Sequence, residues 1–585
     1  MNTVTRAYSL STLILFLLLP TISSPVFADP NAFKPFTASE LPIMATTPNL
    51  INGVYGPQVK LDAPTLDNIP EPLYLDKSLE AGIKETGSVQ IKQVSIEYNP
   101  LLTEKNHRLQ NTTLDQPQAL TQEKIASLKS TYLKECQDTG YVCDATVSIK
   151  GDVLNMVLTP LTLDGVEIDG VDRWQKRVLK HYLHKLSVQA EEHQPLRLGD
   201  LQRQLRLAQI NPDLSFTSDL EVLPYTHQAK LKINAAEHKS PFHLVASWNN
   251  LDQVIFGRGF TSITGVANNV TGNGDSLMSS VVFGYRSTGT FTRYEYPITP
   301  SFRAFAEYQF AKINPYQLPY NASGQHGYAY KFSPGLKYIF WDRPNSRASV
   351  DVAFDLKQGI TRSEGDTIER EAVRAFRGGI NYDQKLGKTT LSTRHEFAEA
   401  VPIWSGSLAS DKRLSWYRGG SQYFRYTGYA TLTRPMPMDS TASVNFQWQF
   451  SPNGVSNFDV GGIGGAFYVR GYREVYLFCD SYAMVNAQWQ FPAKFIPKKI
   501  RLPFADKDLR DTTQILTFVD YGYGGISHAP KGVDPSENLV STGVGIRSQL
   551  NSRTTVRFDV GAPLVRELPF SQGARFHIGA DVALF

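Results

Sequence analysis

Residues 239–585 alternate apolar and polar side chains with a period of two, and after residue 28 no apolar run approaches the roughly 18 residues a transmembrane helix needs. In SFRAFAEYQF, Phe302, Ala304, Ala306, Tyr308 and Phe310 share one face, while Arg303, Glu307 and Gln309 lie on the other. RASVDVAFDLK, ASVNFQWQF and AMVNAQWQF repeat the pattern, with Asp351 and Asp355, or Asn445 and Gln447, on the polar face. A membrane protein without apolar helices can span only as a closed barrel, because no backbone polar group can be left unpaired in lipid. Apolar-out and polar-in alternation is the pattern such a barrel needs. A soluble sandwich alternates as well. Three features favour the barrel: full charges in mid-strand, aromatic residues at strand ends where a membrane girdle would sit, and a final strand ending in Phe585. In RFHIGADVALF, Phe576, Ile578, Ala580, Val582 and Leu584 are out of phase with Phe585, so a regular strand would turn the last ring inward. At about twenty residues for a strand and its connection, the segment holds about sixteen antiparallel strands.

Composition agrees, with 28 Tyr, 32 Phe, 43 Gly and a mean hydropathy of −0.27. A formal charge of +4 on 585 residues is too small to imply a nucleic-acid partner.

The first 28 residues read as a secretory signal peptide. Arg6 supplies the positive start, LSTLILFLLLP the short apolar core, and Val26 and Ala28 the small residues before cleavage. Residues 29–86 are rich in proline and small polar residues and read as an extended linker.

Two small α+β modules follow, at 87–161 and 162–238. In the first, Val94, Ile96 and Tyr98 alternate on a strand, and Thr121 caps a helix bearing Ile125, Leu128, Tyr132 and Cys136. ATVSIK and VLNMVL then form two strands around a turn at 151–152. The second has a strand in LDGVEIDG and a helical stripe of Trp174, Val178, Tyr182 and Leu186. A further helix carries Leu201, Leu205 and Ala208, and SFTSDLEVL and AKLKIN close as a strand pair. An exported chain meets an oxidising space, so Cys136 and Cys143 are candidates for a disulfide, with two buried thiols as the alternative. Cys479 reads as a buried small apolar residue.

Catalytic and metal motifs do not assemble. His181 and His184 stand three apart without an acid or thiol at ligand spacing. GDSL at 274–277 lacks a histidine to activate Ser276. LGKTT at 386–390 has Tyr382 where a phosphate loop needs glycine. No cofactor is implied.

The arginine in FYVRGYRE needs a partner, since Arg470 on a lipid face would cost several kcal/mol. In ILTFVDYGYG, alternation sends Leu516, Phe518, Asp520 and Gly522 to one side, and Gly522 leaves room beside the acid. Arg470 pairing with Asp520 across the lumen is one reading; a loop arginine in water is the other.

VRGY (Val469, Arg470, Gly471, Tyr472) followed by FVDYG (Phe518, Asp520, Gly522) resembles the paired motifs of the Omp85 superfamily. Two modules before a barrel of this length resemble its TpsB branch, the two-partner secretion transporters of the filamentous haemagglutinin and haemolysin type. Residues 270–305 are similar to that family's first barrel hairpins. The resemblance implies that the modules are POTRA domains in the periplasm and that a loop folds into an outer-membrane barrel, its arginine meeting the wall aspartate. It also implies export of a large TpsA-like exoprotein (adhesin, haemolysin or toxin) without nucleotide, contact with outer-membrane lipid, and assembly by the barrel-assembly machinery. A plug segment is expected within 29–86, where no helical period is evident. The alternative within the superfamily is an outer-membrane assembly or insertion factor.

Overall fold

The computed structural model describes residues 66–68 and 89–584 except 104–111, 172–175, 209, 212–213, 224–225, 238–241, 251–258, 315–323, 409, 412–421, 499, 502–507, 528, 530–533, 552 and 566–572. The signal peptide, most of 29–86, Trp174 and Phe585 lie outside the described residues.

A short strand, β1 (Leu66–Asn68), comes from the region read as linker. The next unit comprises β2 (Val89–Tyr98), helix α1 (Pro100–Thr103), β3 (Thr112–Leu120), α2 (Gln122–Asp138), β4 (Cys143–Lys150) and β5 (Val153–Pro160). Its sheet runs β3-β2-β5-β4, with β2 and β5 parallel. The Thr121 hydroxyl accepts the Lys124 amide at 3.4 Å and starts α2. Ile125, Leu133 and Cys136 pack on Val94, Ile96, Ala145, Val147, Leu154 and Met156. Lys129 also lies on the buried face, 3.7 Å from Asp144. A disulfide joins Cys136 to Cys143, tying the end of α2 to β4; Cys479 is free and buried. Strand β3 carries no sequence signal, because Asp115, Gln116 and Pro117 interrupt its alternation.

The second unit comprises β6 (Thr162–Asp169), α3 (Lys176–Tyr182), α4 (His184–Glu191), α5 (Leu198–Ala208), β7 (Leu214–Leu223) and β8 (Gln228–Glu237). Its sheet order is β1-β7-β8-β6, so β1 covers part of the outer edge of β7. The expected single helical stripe through Val178, Tyr182 and Leu186 is two helices, broken at Leu183. The break lets Tyr182, Leu183 and Leu186 all enter one core with Leu179, Leu201 and Leu205. His181 and His184 stand on the exposed face.

Sixteen antiparallel strands then close a barrel. They are β9 (Phe242–Asn249), β10 (Phe260–Asn268), β11 (Ser276–Gly284), β12 (Ser287–Pro297), β13 (Phe302–Ile313), β14 (His326–Arg343), β15 (Ser346–Ser363), β16 (Asp366–Leu386) and β17 (Thr389–Ala400), followed by β18 (Tyr423–Met436) and β19 (Ser440–Phe450). After a hairpin of β20 (Gly461–Ile463) and β21 (Leu477–Cys479) come β22 (Ser481–Pro492), a turn of helix α6 (Leu509–Thr512), β23 (Thr513–Gly525), β24 (Ser536–Gln549), β25 (Thr554–Pro563) and β26 (Arg575–Ala583). Strand β26 pairs back onto β9, which removes both edges. Alternation is visible in burial: Arg303, Phe305, Glu307 and Gln309 are buried on β13, whereas Tyr308 and Lys312 are exposed. Phe576 and Ile578 of β26 face outward. Among the described residues, no helix is long and apolar enough to cross a membrane.

Strand direction assigns every connection to an end. β9 leaves the second unit, so the connections β10–β11, β12–β13 and β14–β15 return to that unit's end, and the β19–β22 segment begins at the opposite, distal end. The GDSL stretch falls in the β10–β11 turn. There the Asp275 carboxylate accepts bonds from the Thr271 amide and the Tyr294 hydroxyl, both at 2.9 Å. LGKTT is the β16–β17 turn, with Gly387 at φ +59°.

Candidate functional site: a loop anchored across the lumen

Residues 451–480 leave β19 at the distal end and fold inward. Val455, Val460, Ile463, Val469, Arg470 and Tyr472 are all buried; Val455 and Val460 cluster with Val373, Ala375 and Tyr423, and Ile463, Val469 and Tyr472 with Met484 and Leu539. The β20–β21 hairpin stiffens the loop, and Gly464 and Gly465 turn it at φ +104° and +97°. Glu474 accepts the Ala466 amide at 2.7 Å, holding the returning limb against the outgoing one.

At the turned-in end, Arg470 Nε donates to Asp520 Oδ2 at 2.9 Å and Nη2 to Oδ1 at 2.7 Å, a bidentate pair. The Arg470 amide adds a third bond to Oδ2 at 3.0 Å. The guanidinium lies flat over Phe518, its Cζ 3.5 Å from the ring centroid. Asn486 Nδ2 donates to Asp520 Oδ1 at 3.1 Å and also to the Tyr468 carbonyl, bracing the acid from the neighbouring strand. Asp520 is fully buried and Arg470 is 5% exposed. Such a pair attracts by about 4 kcal/mol at an effective dielectric near 20, before desolvation. Removing one partner strands a buried charge, at a cost of about 3–5 kcal/mol.

The wall is flattened to receive the backbone. A Cβ on Gly561 would fall 2.5 Å from the Arg470 carbonyl oxygen, and one on Gly522 would fall 2.8 Å from Val469 Cγ2. Gly471 itself lies against Ser541 and Pro563, where a Cβ would meet atoms at 2.6 and 2.7 Å. The Tyr472 hydroxyl donates to the Val565 carbonyl at 2.7 Å, and His577 Nε2 bonds the Arg470 carbonyl at 2.8 Å. Val469, Arg470, Gly471, Tyr472, Phe518, Asp520 and Gly522 therefore form one contact; Cys136 and Cys143 belong to the first α+β unit and take no part in it.

A second anchor is not evident from the sequence. Asp459, on the outgoing limb, accepts both carboxylate bonds from Lys357 Nζ at 2.7 Å and one from Arg425 Nη1 at 2.6 Å, with the Tyr423 hydroxyl as a further donor. Arg425 also reaches Glu396 at 3.2 Å, and Arg377 links Glu396 to Glu307 and Asp355. The loop is thus tied to β15 and β18 on one side and to β23 on the other. The only sequence signal was the mid-strand charge on polar faces, which places a residue in the lumen without naming its partner.

The sequence matches the family described as haemolysin secretion/activation protein ShlB/FhaC/HecB over residues 227–548. The chain belongs to that family. It is a two-partner secretion transporter of the outer membrane, in the wider Omp85 class. Solved structures with the same fold include CdiB from Escherichia coli, 14% identical, with a TM-score of 0.64 over 89% of this chain and 94% of that one. CdiB from Acinetobacter baumannii is 15% identical, with a TM-score of 0.61 over 85% and 90%. BamA from Haemophilus ducreyi lacking POTRA domains 1-3 is 11% identical, with a TM-score of 0.52 over 85% and 100%. No curated protein matches the sequence.

The second α+β unit touches the barrel at its near-end turns. Arg206 of α5 donates from Nε to Asp342 Oδ2 at 2.8 Å and from Nη2 to the Asp342 carbonyl at 3.1 Å; Arg347 takes Asp342 Oδ1 at 2.7 Å. Arg206 is 4% exposed and the Asp342 carboxylate is fully buried. The Tyr182 hydroxyl donates to the Asn273 carbonyl at 2.7 Å. Burial pushes its pKa up, so it remains a donor at any physiological pH.

Proposed function

We propose that the transporter exports one large exoprotein from periplasm to cell surface, without nucleotide and without catalysis. The observation that carries this reading is the buried Arg470–Asp520 contact, which holds a loop inside a closed barrel where a passing chain must displace it or thread past it. In this account the signal peptide directs the chain to the periplasm, and the two α+β units are POTRA domains that remain there. They receive the unfolded exoprotein by strand addition to a sheet edge. Folding outside the cell then makes the outward step favourable. The partner is a TpsA-like adhesin, haemolysin or toxin. The barrel itself is inserted by the barrel-assembly machinery and stands in outer-membrane lipid. A plug segment, if the chain carries one, falls within 29–86.

Comparing a deletion strain with its parent tests the reading. Loss of one or two very large proteins from surface and medium, with other barrels unchanged, is the expected result. Broad depletion of outer-membrane barrels would instead identify an assembly factor.

A further inference from the structure

We infer that the outer face of β13–β16 at the distal end is a binding site for the phosphorylated headgroup of an outer-leaflet glycolipid. The inference rests on the orientation proposed above, with the α+β units in the periplasm.

Strands β14, β15 and β16 run 18, 18 and 21 residues, well beyond the roughly ten that cross a bilayer, so their distal parts stand above the hydrocarbon. The register follows the lipid-facing aromatics distally through the Phe354–Phe376, Tyr308–Phe332 and Phe310–Tyr330 pairs, in successive outward rows. Phe354 of β15 pairs with Phe376 of β16 on the outer face, their ring centroids 4.9 Å apart, and Trp404 folds over from the β17–β18 connection to meet Phe354 at 5.1 Å. An aromatic cluster of this kind marks the interface level.

Cations stand on the same face among and beyond these aromatics. Arg374 is in register with Leu356 and Phe332, one outward row distal to the Phe354–Phe376 pair. Two rows further, Lys312, Tyr328, Ile360 and Arg370 are cross-strand partners in a single row over four strands. Arg362 pairs with His326 in the next row. Lys312, Arg362 and Arg370 are exposed, and among the described residues none of the three forms an ion pair. Arg374 donates to the carbonyls of Lys357 and Val373, not to a carboxylate. Glu399 of β17 faces outward in register with Phe376 and is not paired with Arg374. Glu364 and Asp366 sit higher still, at the hairpin tip.

The inward-facing cations of these strands are treated differently. Lys331, Arg347 and Lys357 each have a carboxylate. By contrast, outward residues near the distal ends of β18, β19 and β23 are aromatic (Phe424, Tyr426, Trp448, Phe450, Tyr521 and Tyr523), with no cation among them. Lys312, Arg370 and Arg362 occupy the two rows beyond the Phe310–Tyr330 pair, the level of lipid phosphates just outside an aromatic girdle, and basic side chains at that depth recognise anionic headgroups. Three strand spacings, about 14 Å, separate Lys312 from Arg370. A headgroup carrying two phosphates on a disaccharide has the reach to engage both ends, with Tyr328 between them.

The test is retention of lipid by the full-length protein, purified from outer membranes and exchanged into neutral detergent, read by native mass spectrometry. The probes are bis-phosphorylated lipid A, enzymatically dephosphorylated lipid A and inorganic phosphate. Wild type is expected to hold one bis-phosphorylated lipid A. The variant Lys312→Gln/Arg362→Gln/Arg370→Gln should show at least a tenfold fall in occupancy, and the dephosphorylated lipid should bind neither protein. Equal occupancy in wild type and variant, equal binding of the dephosphorylated lipid, or binding of inorganic phosphate without lipid would each overturn the site. If the triple variant fails to insert, the comparison of the two lipids on wild type decides alone. A protein that exports nothing yet retains lipid A refutes the transport reading and leaves the site standing; one that exports normally without retaining lipid A refutes only the site.

Discussion

Lys357 Nζ lies 2.7 Å from both carboxylate oxygens of Asp459, joining the outgoing limb of the inward loop to β15. The turned-in end is joined to β23, a separate part of the wall, through Arg470 and Asp520. Two buried ionic anchors on different strands hold the loop, and neither alone fixes its whole length.

The anchors should therefore couple. Asp459→Asn removes the acid that Lys357 and Arg425 share; Asp355 and Glu396 remain beside them, so the loop's seating should weaken by about 1–3 kcal/mol. Combined with Arg470→Ala it should free the loop far more than either change alone. Single-channel recordings in planar bilayers check this: each single variant should show intermittent openings, and the double variant a sustained larger conductance.

Gly561→Ala tests steric fit without touching charge. Its methyl would fall 2.5 Å from the Arg470 carbonyl oxygen, a backbone atom that cannot rotate away. Overpacking of this kind costs about 1–3 kcal/mol. The expected outcome is a folded, heat-modifiable barrel with faster protease cleavage in 451–480.

Arg206→Ala should loosen the second α+β unit from the barrel. It leaves Asp342 with Arg347 as its remaining cation, so the loss is moderate, about 1–3 kcal/mol. Hydrogen exchange should rise across α5 and the β14–β15 turn while barrel amides stay protected.

Reducing the Cys136–Cys143 disulfide releases a short loop. The chain-entropy estimate for eight residues is about 2.5 kcal/mol. Reductant should lower the melting temperature of the first unit and leave the barrel transition in place.

The barrel was legible because one physical demand, apolar outside and polar inside, acts on every strand and writes a period of two through hundreds of residues. The face that Asp520 occupies is legible for the same reason: Leu516, Phe518 and Asp520 are buried, while Val519 and Tyr521 are exposed, with no bulge between them. Asp459 was not legible. Its partners are 34, 36 and 102 residues away, and no local period encodes a contact across the lumen. Strand β3 escaped notice because Pro117 sits where alternation would continue, and the break at Leu183 because both halves of the stripe are apolar and point to one core. Strand β1 pairs with a strand some 150 residues later, and three residues are too few to show a period.

The most direct test of the central claim is export by Arg470→Ala, measured as the amount of exoprotein in the medium relative to the amount of heat-modifiable barrel in the outer membrane. The account predicts wild-type barrel levels with export reduced at least tenfold. Export at the wild-type ratio would contradict it, because the loop contact would then be dispensable for transport.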